Sequence, residues 1–114
     1  MITVYGIKNC DSVKKALAFF KAHGIAYDFV DFKTDPVGCD TVDRWLEHAA
    51  MDKLFNTRGT TYRTLKLKAL NLDDTGKREW ICKENLLIKR PVVELENRVI
   101  IGFDEPCYQG EFLS

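Results

Sequence analysis

The chain has 114 residues, of which 46% are hydrophobic, and its 17 basic residues balance its 17 acidic ones. This length suits one domain with a single core and leaves no room for a second domain. A neutral chain has no net field that would draw it to nucleic acid or an anionic membrane, so neither is expected as a partner. No apolar run approaches the ~20 residues of a membrane span, and no signal-like segment precedes the first strand, so a cytoplasmic location is expected.

The first third of the chain predicts a βαβ unit. Ile2–Tyr5 is β-branched and aromatic, as strands are. A helix is predicted next, because apolar residues follow at helical spacing, namely Val13, Ala16, Leu17 and Phe20. Gly24 ends this helix, and Ala26–Phe32 is predicted as a second strand parallel to the first.

The middle of the chain predicts a helical insertion from about residue 36 to 88. A stripe of apolar residues predicts a helix that is capped near Asp40 or Thr41 and ends around Met51. The elements predicted after it are a polar loop at 56–63, a short helix at 65–70 and a longer helix at 77–87.

The last quarter predicts a hairpin followed by a helix. Residues 91–95 and 98–102 have strand composition, and Glu96-Asn97 between them makes a two-residue turn. The last helix begins at Asp104 and Pro106 and packs through Tyr108, Phe112 and Leu113. The order βαβ, helical insertion, ββα predicts an α/β thioredoxin-like fold, with a mixed four-stranded sheet and a helical lid.

Cys10 is predicted at the corner between the first strand and the first helix. Open α/β sheets bind ligands at the carboxyl ends of their strands. The first N–H groups of a helix lack partners and favour a thiolate, and Lys8, Lys14 and Lys15 add positive charge. Cys10 is therefore predicted to be an ionised nucleophile, and a buried, inert cysteine is the alternative.

The other cysteines, Cys39, Cys82 and Cys107, lie far apart in the sequence. The chain has no C-x-x-C pair and no histidine at the spacing of metal ligands. These spacings argue against both a metal site and a disulfide framework. Whether one of the three acts as a resolving thiol stays open.

Arg58, Arg63 and Arg90 are predicted in loops or at the edges of elements. The rigid fork of arginine donors suits carboxylates and oxyanions, so an arginine near Cys10 would stabilise the thiolate and hold an anionic substrate. A solvated surface role is the alternative for each. Arg90 is favoured because it precedes Pro91 at the start of a strand.

Three segments point to a known family: Tyr5–Asp11 (YGIKNCD), Asn56–Arg63 (NTRGTTYR) and Ile88–Val93 (IKRPVV). Together they resemble the arsenate reductase (ArsC) and Spx-like family, and within it the small YffB-type proteins. The resemblance implies a thioredoxin-like fold with a helical insertion. In arsenate reductases the loop cysteine attacks arsenate, arginines bind the oxyanion, and glutathione with glutaredoxin regenerates the enzyme. The matching positions here are Cys10, Arg58 and Arg90.

Two departures from the family refine this expectation. Arsenate reductases carry a further arginine shortly after the hairpin, where this chain reads Ile101–Phe103, so arsenate is expected to be a weak substrate or none. Spx-type regulators commonly carry a C-x-x-C pair, and the second position here is Val13, which excludes an intramolecular redox switch at this site. A single thiol needs an outside thiol to resolve it, and glutathione is the expected one.

The resemblance therefore implies a glutathione-dependent thiol/disulfide reductase without a bound cofactor or metal, in which Cys10 is the nucleophile. Glutaredoxin is a further expected partner. Arsenate reduction is one alternative, and a transcriptional regulator that binds RNA polymerase is another. The residues expected to bind the anion or glutathione are Lys8, Asn9, Arg58, Arg90 and Pro91.

Thioredoxin-like proteins place a cis-proline at the start of the third strand, against the active cysteine. Pro91 matches that position, so the resemblance implies that the Arg90–Pro91 bond is cis and faces Cys10, although few X-Pro bonds are cis. The extended backbone of glutathione is then expected to pair beside Pro91, as a strand added to a sheet edge would.

Overall fold

The structure is a computed structural model that describes residues 2–113. Strand β1 (Ile2–Gly6), helix α1 (Asp11–Ala22) and strand β2 (Tyr27–Asp31) form the predicted βαβ unit. The two strands are parallel, with Ile2 opposite Tyr27. The unit places the loop before α1 at the carboxyl end of β1.

The end of the chain forms strand β3 (Val92–Glu94), strand β4 (Val99–Ile101) and helix α6 (Glu105–Phe112). The sheet order is β2-β1-β3-β4, and β3 runs antiparallel to both of its neighbours. The predicted α/β fold with a mixed four-stranded sheet is confirmed. Tyr5 lies opposite Val92, which brings the start of β3 beside the end of β1.

Four short helices lie between β2 and β3: α2 (Cys39–Leu46), α3 (Met51–Leu54), α4 (Thr60–Thr64) and α5 (Asp74–Lys83). Two 3₁₀ turns accompany them, Leu67–Leu70 before α5 and Asn85–Leu87 after it.

Several predicted bounds in this region are wrong. The helix predicted to end around Met51 ends at Leu46, because the chain is extended at Ala50 and begins the new helix α3. The loop predicted at 56–63 contains the start of α4, which buries no side chain and so has no apolar stripe to reveal it. The helix predicted at 65–70 is a 3₁₀ turn.

The helix predicted at 77–87 begins earlier and ends earlier. The Asp73 side chain accepts a hydrogen bond from the Gly76 N–H at 2.8 Å and so caps α5. The helix therefore begins at Asp74, three residues before the predicted start. Glu84 is extended and ends α5, and residues 85–87 turn separately.

The sheet is buried on both faces. Val92 faces one core cluster, formed with helices α2, α3 and α5 around Trp45 and Ile81. Val93 faces the other cluster, formed with α1 and α6 around Phe20 and Tyr108. Burial of a side chain of this size contributes about 1.5–3 kcal/mol to the free energy of unfolding. Strand β3 therefore stabilises both core clusters. Leu113, predicted to pack with α6, is instead 46% exposed.

A disulfide joins Cys39 in α2 to Cys82 in α5, with their Cα atoms 5.1 Å apart. The expectation that no disulfide forms is wrong. The two residues lie 43 positions apart, and only the packing of α2 against α5 brings them together. No helix in the described part of the chain is long and apolar enough to cross a membrane.

Candidate active site

Cys10 occupies the cap position immediately before α1. Its backbone is extended (φ −132°, ψ 125°), and its carbonyl accepts a hydrogen bond from the Lys14 N–H at 2.9 Å. Its side chain makes no capping hydrogen bond and forms no disulfide. Cys10 therefore lies at the N-terminus of α1, as predicted, where the first N–H groups of the helix have no partner within it.

Gly6 at the end of β1 lets α1 approach closely. A Cβ atom at Gly6 would lie 2.6 Å from a methyl carbon of Val13, closer than such atoms come. Val13 is fully buried. The position that would hold the second cysteine of a C-x-x-C pair is thus part of the core, and among residues 2–113 no other thiol lies in this turn.

The thiol of Cys10 is half-buried and packs against the core cluster that includes Leu87, Ile88 and Val92. Lys8 and Asn9, in the turn just before it, are exposed. No carboxylate in the described part of the chain pairs with Lys8. Its charge is available to an anionic ligand.

The Arg90–Pro91 peptide bond is cis, so that prediction is confirmed. Pro91 is buried, and its carbonyl accepts a hydrogen bond from the Gly102 N–H at 2.8 Å, which ties it to the strand β4 side of the sheet. The N–H and carbonyl groups of Arg90 have no backbone partner within residues 2–113. These two groups are the ones expected to pair with an extended ligand, and that docking role stays a prediction.

The segments that carry Arg90 and Arg58 are both held by the 3₁₀ turn Asn85–Leu87. The Nη1 of Arg90 donates to the Leu86 carbonyl at 3.3 Å, and the N–H of Asn56 donates to the next carbonyl, that of Leu87, at 2.8 Å. We call residues 85–87 the hub. It places the Arg90 guanidinium near the start of the loop that contains Arg58.

The Arg90 guanidinium is incompletely satisfied. Its Nε is covered by protein atoms and donates to none of those described. Arg90 is held by one hydrogen bond to a neutral carbonyl and has no carboxylate partner in the described part of the chain. Buried donors without partners are rare in folded proteins, and they are found where a ligand or water completes the site.

The loop before α4 is held by side-chain hydrogen bonds to its backbone. The Asn56 side chain accepts a hydrogen bond from the Arg58 N–H at 3.1 Å, and a Cβ atom at Gly59 would lie 2.8 Å from the Asn56 amide nitrogen. The Nη1 of Arg63 donates to the Arg58 carbonyl at 2.7 Å. Arg63, a candidate ligand residue in the sequence, therefore braces this loop, and the exposed Arg58 side chain has no partner among the described residues.

Asn85 is a positioning residue that the sequence reasoning missed. Only 6% of it is exposed. Its Oδ1 accepts from the Val37 N–H at 2.6 Å, and its Nδ2 donates to the carbonyls of Val37 and Ile81. These bonds fix the hub to the segment before α2. No sequence signal marked this asparagine, because it lay within a predicted amphipathic helix.

A second polar cluster lies along β3. Arg44 donates two hydrogen bonds to Glu94, at 2.5 and 3.0 Å, and the Tyr5 hydroxyl donates to the same carboxylate at 3.1 Å. Burial alone would raise the pKa of Glu94, but the hydrogen bond and charge of Arg44, with the Tyr5 hydroxyl, lower it. Burial and the charge of Glu94 raise the pKa of Tyr5. This cluster ties α2 to the sheet.

Within residues 2–113, no three histidine, cysteine or acidic side chains are grouped to hold a metal ion.

A family model described as the ArsC family matches residues 5–110. The chain belongs to the ArsC family. A solved structure of a YffB protein superposes with a TM-score of 0.89 at 34% identity, covering 96% of this chain and 97% of that one. An arsenate reductase (ArsC) related protein from Brucella melitensis gives a TM-score of 0.77 at 37% identity, with 97% and 93% covered. The global transcriptional regulator Spx of Listeria innocua is 28% identical over 107 residues, covering 92% of this chain and 82% of that protein.

Proposed function

We propose that this ArsC-family protein is a glutathione-dependent thiol/disulfide reductase, with Cys10 as its single nucleophile. The observation that carries the proposal is a free, half-buried thiol at the N-terminus of α1, which makes no capping hydrogen bond and no disulfide. The three cations expected to bind the anion, Lys8, Arg58 and Arg90, have no carboxylate partners among the described residues.

The chemistry needs one thiol from the protein. The Cys10 thiolate attacks the sulfur of glutathione in a glutathionylated substrate, so that a Cys10–glutathione disulfide forms and the substrate leaves as a thiolate. A second glutathione thiolate then attacks the glutathione sulfur of this mixed disulfide. Cys10 is released as a thiolate, and the product is glutathione disulfide. The substrate disulfide has gained two electrons, which come from glutathione.

Glutathione suits the groups around this corner. It is an extended peptide with a carboxylate at each end, and charge-assisted hydrogen bonds are the strong contacts available to it. We expect its carboxylates near Lys8, Arg58 and Arg90 and its backbone beside Pro91. The unpaired N–H and carbonyl of Arg90 are the groups that would pair with that backbone.

Turnover of a glutathionylated peptide in the presence of glutathione tests the proposal. We expect steady-state release of the peptide thiol that depends on both substrates. Absence of turnover, with specific co-purification of RNA polymerase from cells, would instead favour a regulatory role like that in the name of the Spx relative.

Arsenate reduction is a second candidate, favoured by the arsenate reductase-related structure among the solved relatives. The chain has only Arg58 and Arg90 at the matching arginine positions, because Ile101–Phe103 supplies no arginine after the hairpin. Loss of one donor to a developing charge typically costs about a hundredfold to a thousandfold in rate. A steady-state assay with arsenate, glutathione and glutaredoxin is expected to give far less than the roughly 1 per second of ordinary enzymes.

A further inference from the structure

The disulfide between Cys39 and Cys82 does not include the proposed nucleophile and takes no part in the proposed reaction. Cys39 is the first residue of α2, and Cys82 is in the last turn of α5. Both residues are only half-buried. A thiolate or a small disulfide can therefore reach them, which a fully buried disulfide would not allow.

Two other contacts join the same two segments on either side of the disulfide. Asn85 is hydrogen-bonded to both backbone groups of Val37, and Arg78 forms two hydrogen bonds with Asp43 at 2.6 and 2.8 Å. These contacts hold α2 and α5 together when the sulfur–sulfur bond is absent. Forming and breaking the disulfide therefore does not require the helices to separate.

The disulfide is also close along the chain to the hub. Asn85 comes three residues after Cys82, and Val37 comes two residues before Cys39, so the disulfide and the Val37–Asn85 bonds form a double link. The next two carbonyls of the hub, Leu86 and Leu87, hold the segments of Arg90 and Arg58. The disulfide is thus connected, through the hub, to the segments that carry Arg58 and Arg90.

We propose that Cys39 and Cys82 form a second redox site, a reversible disulfide that stiffens the hub and so orders the segments that carry Arg58 and Arg90. The oxidant is a low-molecular-weight disulfide such as glutathione disulfide. One cysteine thiolate attacks it to give a mixed disulfide and one glutathione, and the other cysteine displaces the second glutathione. The two thiols lose two electrons and two protons, and two glutathione thiols form.

This inference rests on the proposed function only where it calls the two arginines ligand-binding residues. The order of the hub can be measured without any ligand. The backbone amide of Asn56 reports it directly, since its N–H bonds to the Leu87 carbonyl at 2.8 Å. The amide of Lys89 reports the segment between the hub and Arg90, since its N–H bonds to the Leu54 carbonyl at 2.8 Å. Tyr108 in α6, whose N–H bonds to Asp104, serves as a remote control.

The test uses the full chain with Cys10→Ser and Cys107→Ser, so that only Cys39 and Cys82 can react. The reduced protein is titrated with glutathione and glutathione disulfide, and mass spectrometry follows the loss of two hydrogen atoms. Hydrogen exchange is then compared between the reduced and oxidised forms. We expect exchange at Asn56 and Lys89 to slow by about two- to thirtyfold on oxidation, with Tyr108 unchanged. A matched chain with Cys39→Ser in addition should show no slowing.

Two results would overturn the proposal. One is a lasting glutathione adduct, or no reaction, in place of the internal disulfide. The other is a disulfide that forms while exchange at Asn56 and Lys89 stays the same. Because the nucleophile Cys10 is absent from the chain tested, neither result depends on whether the protein is a reductase.

Discussion

Two of the four cysteines are free, and both lie at the start of a helix. Cys10 immediately precedes α1, and Cys107 is the third residue of α6. Each is close to backbone N–H groups that have no partner within the helix. A helix N-terminus is therefore common to both thiols and does not by itself distinguish a nucleophile.

The charges around the two cysteines differ. Cys10 follows Lys8 and precedes two further lysines in the first half of α1, whereas Cys107 follows Asp104 and Glu105. Cys10 is also half-buried beside the start of β3, while Cys107 is exposed on α6. The comparison teaches that neighbouring lysines and the adjoining start of β3, and not the helix terminus, distinguish Cys10 from Cys107.

The largest effect is expected from removing each thiol in turn. Cys10→Ser should lower the turnover of a glutathionylated peptide by more than about a thousandfold, because a serine hydroxyl is a poor nucleophile without a general base. Cys107→Ser, the matched control, should leave the rate unchanged. A comparable loss of turnover in Cys107→Ser would contradict the distinction drawn between the two cysteines.

A smaller effect is expected from the arginines. Arg90→Ala should weaken binding of S-methylglutathione to the Cys10→Ser protein by about ten- to hundredfold, the worth of one charge-assisted hydrogen bond. Arg63→Ala should weaken it less, because Arg63 acts through the Arg58 backbone. Arg78→Ala is the control, since Arg78 is paired with Asp43 in the insertion.

Isothermal titration calorimetry measures these affinities. An Arg90→Ala protein that binds S-methylglutathione as tightly as the Arg78→Ala protein would remove Arg90 from the proposed site.

The smallest effect is expected from the polar cluster of Tyr5, Arg44 and Glu94, which ties α2 to the sheet. Glu94→Gln should lower the free energy of unfolding at pH 7 by about 0.5–1 kcal/mol, because Arg44 is half exposed and solvent screens its pair with Glu94. The pKa of Glu94 is lowered by folding, so its contribution is present above its ordinary value of 4.5 and is lost as the pH falls through the lowered value.

Urea unfolding at several pH values checks this prediction. The difference between the two proteins should shrink toward zero in acid, and the reactivity of Cys10 should not change. A difference that persists below pH about 2 would show that the substitution acts through packing instead.

The Cys10 corner could be predicted from the sequence because its signals are local. A β-branched strand, a short turn and a helical stripe follow each other within about twenty residues, and together they place Cys10 before α1. The cis bond at Arg90–Pro91 was predicted through the family resemblance, and the structure has it.

The remaining parts of the candidate site could not be predicted in this way, because they depend on contacts between distant segments. Asn85 reaches a backbone 48 residues away, and Cys39 meets Cys82 only because α2 packs on α5. Helix α4 buries no side chain, so it has no hydrophobic periodicity. These features follow from tertiary packing, which neither composition nor spacing encodes.

The most direct test of the account is a competition between the two free thiols. Iodoacetamide is added to the unmodified protein at pH about 6, and peptide mass spectrometry follows the alkylation of each cysteine with time. The account predicts that Cys10 is alkylated first, well before Cys107. Faster alkylation of the exposed Cys107 would contradict it.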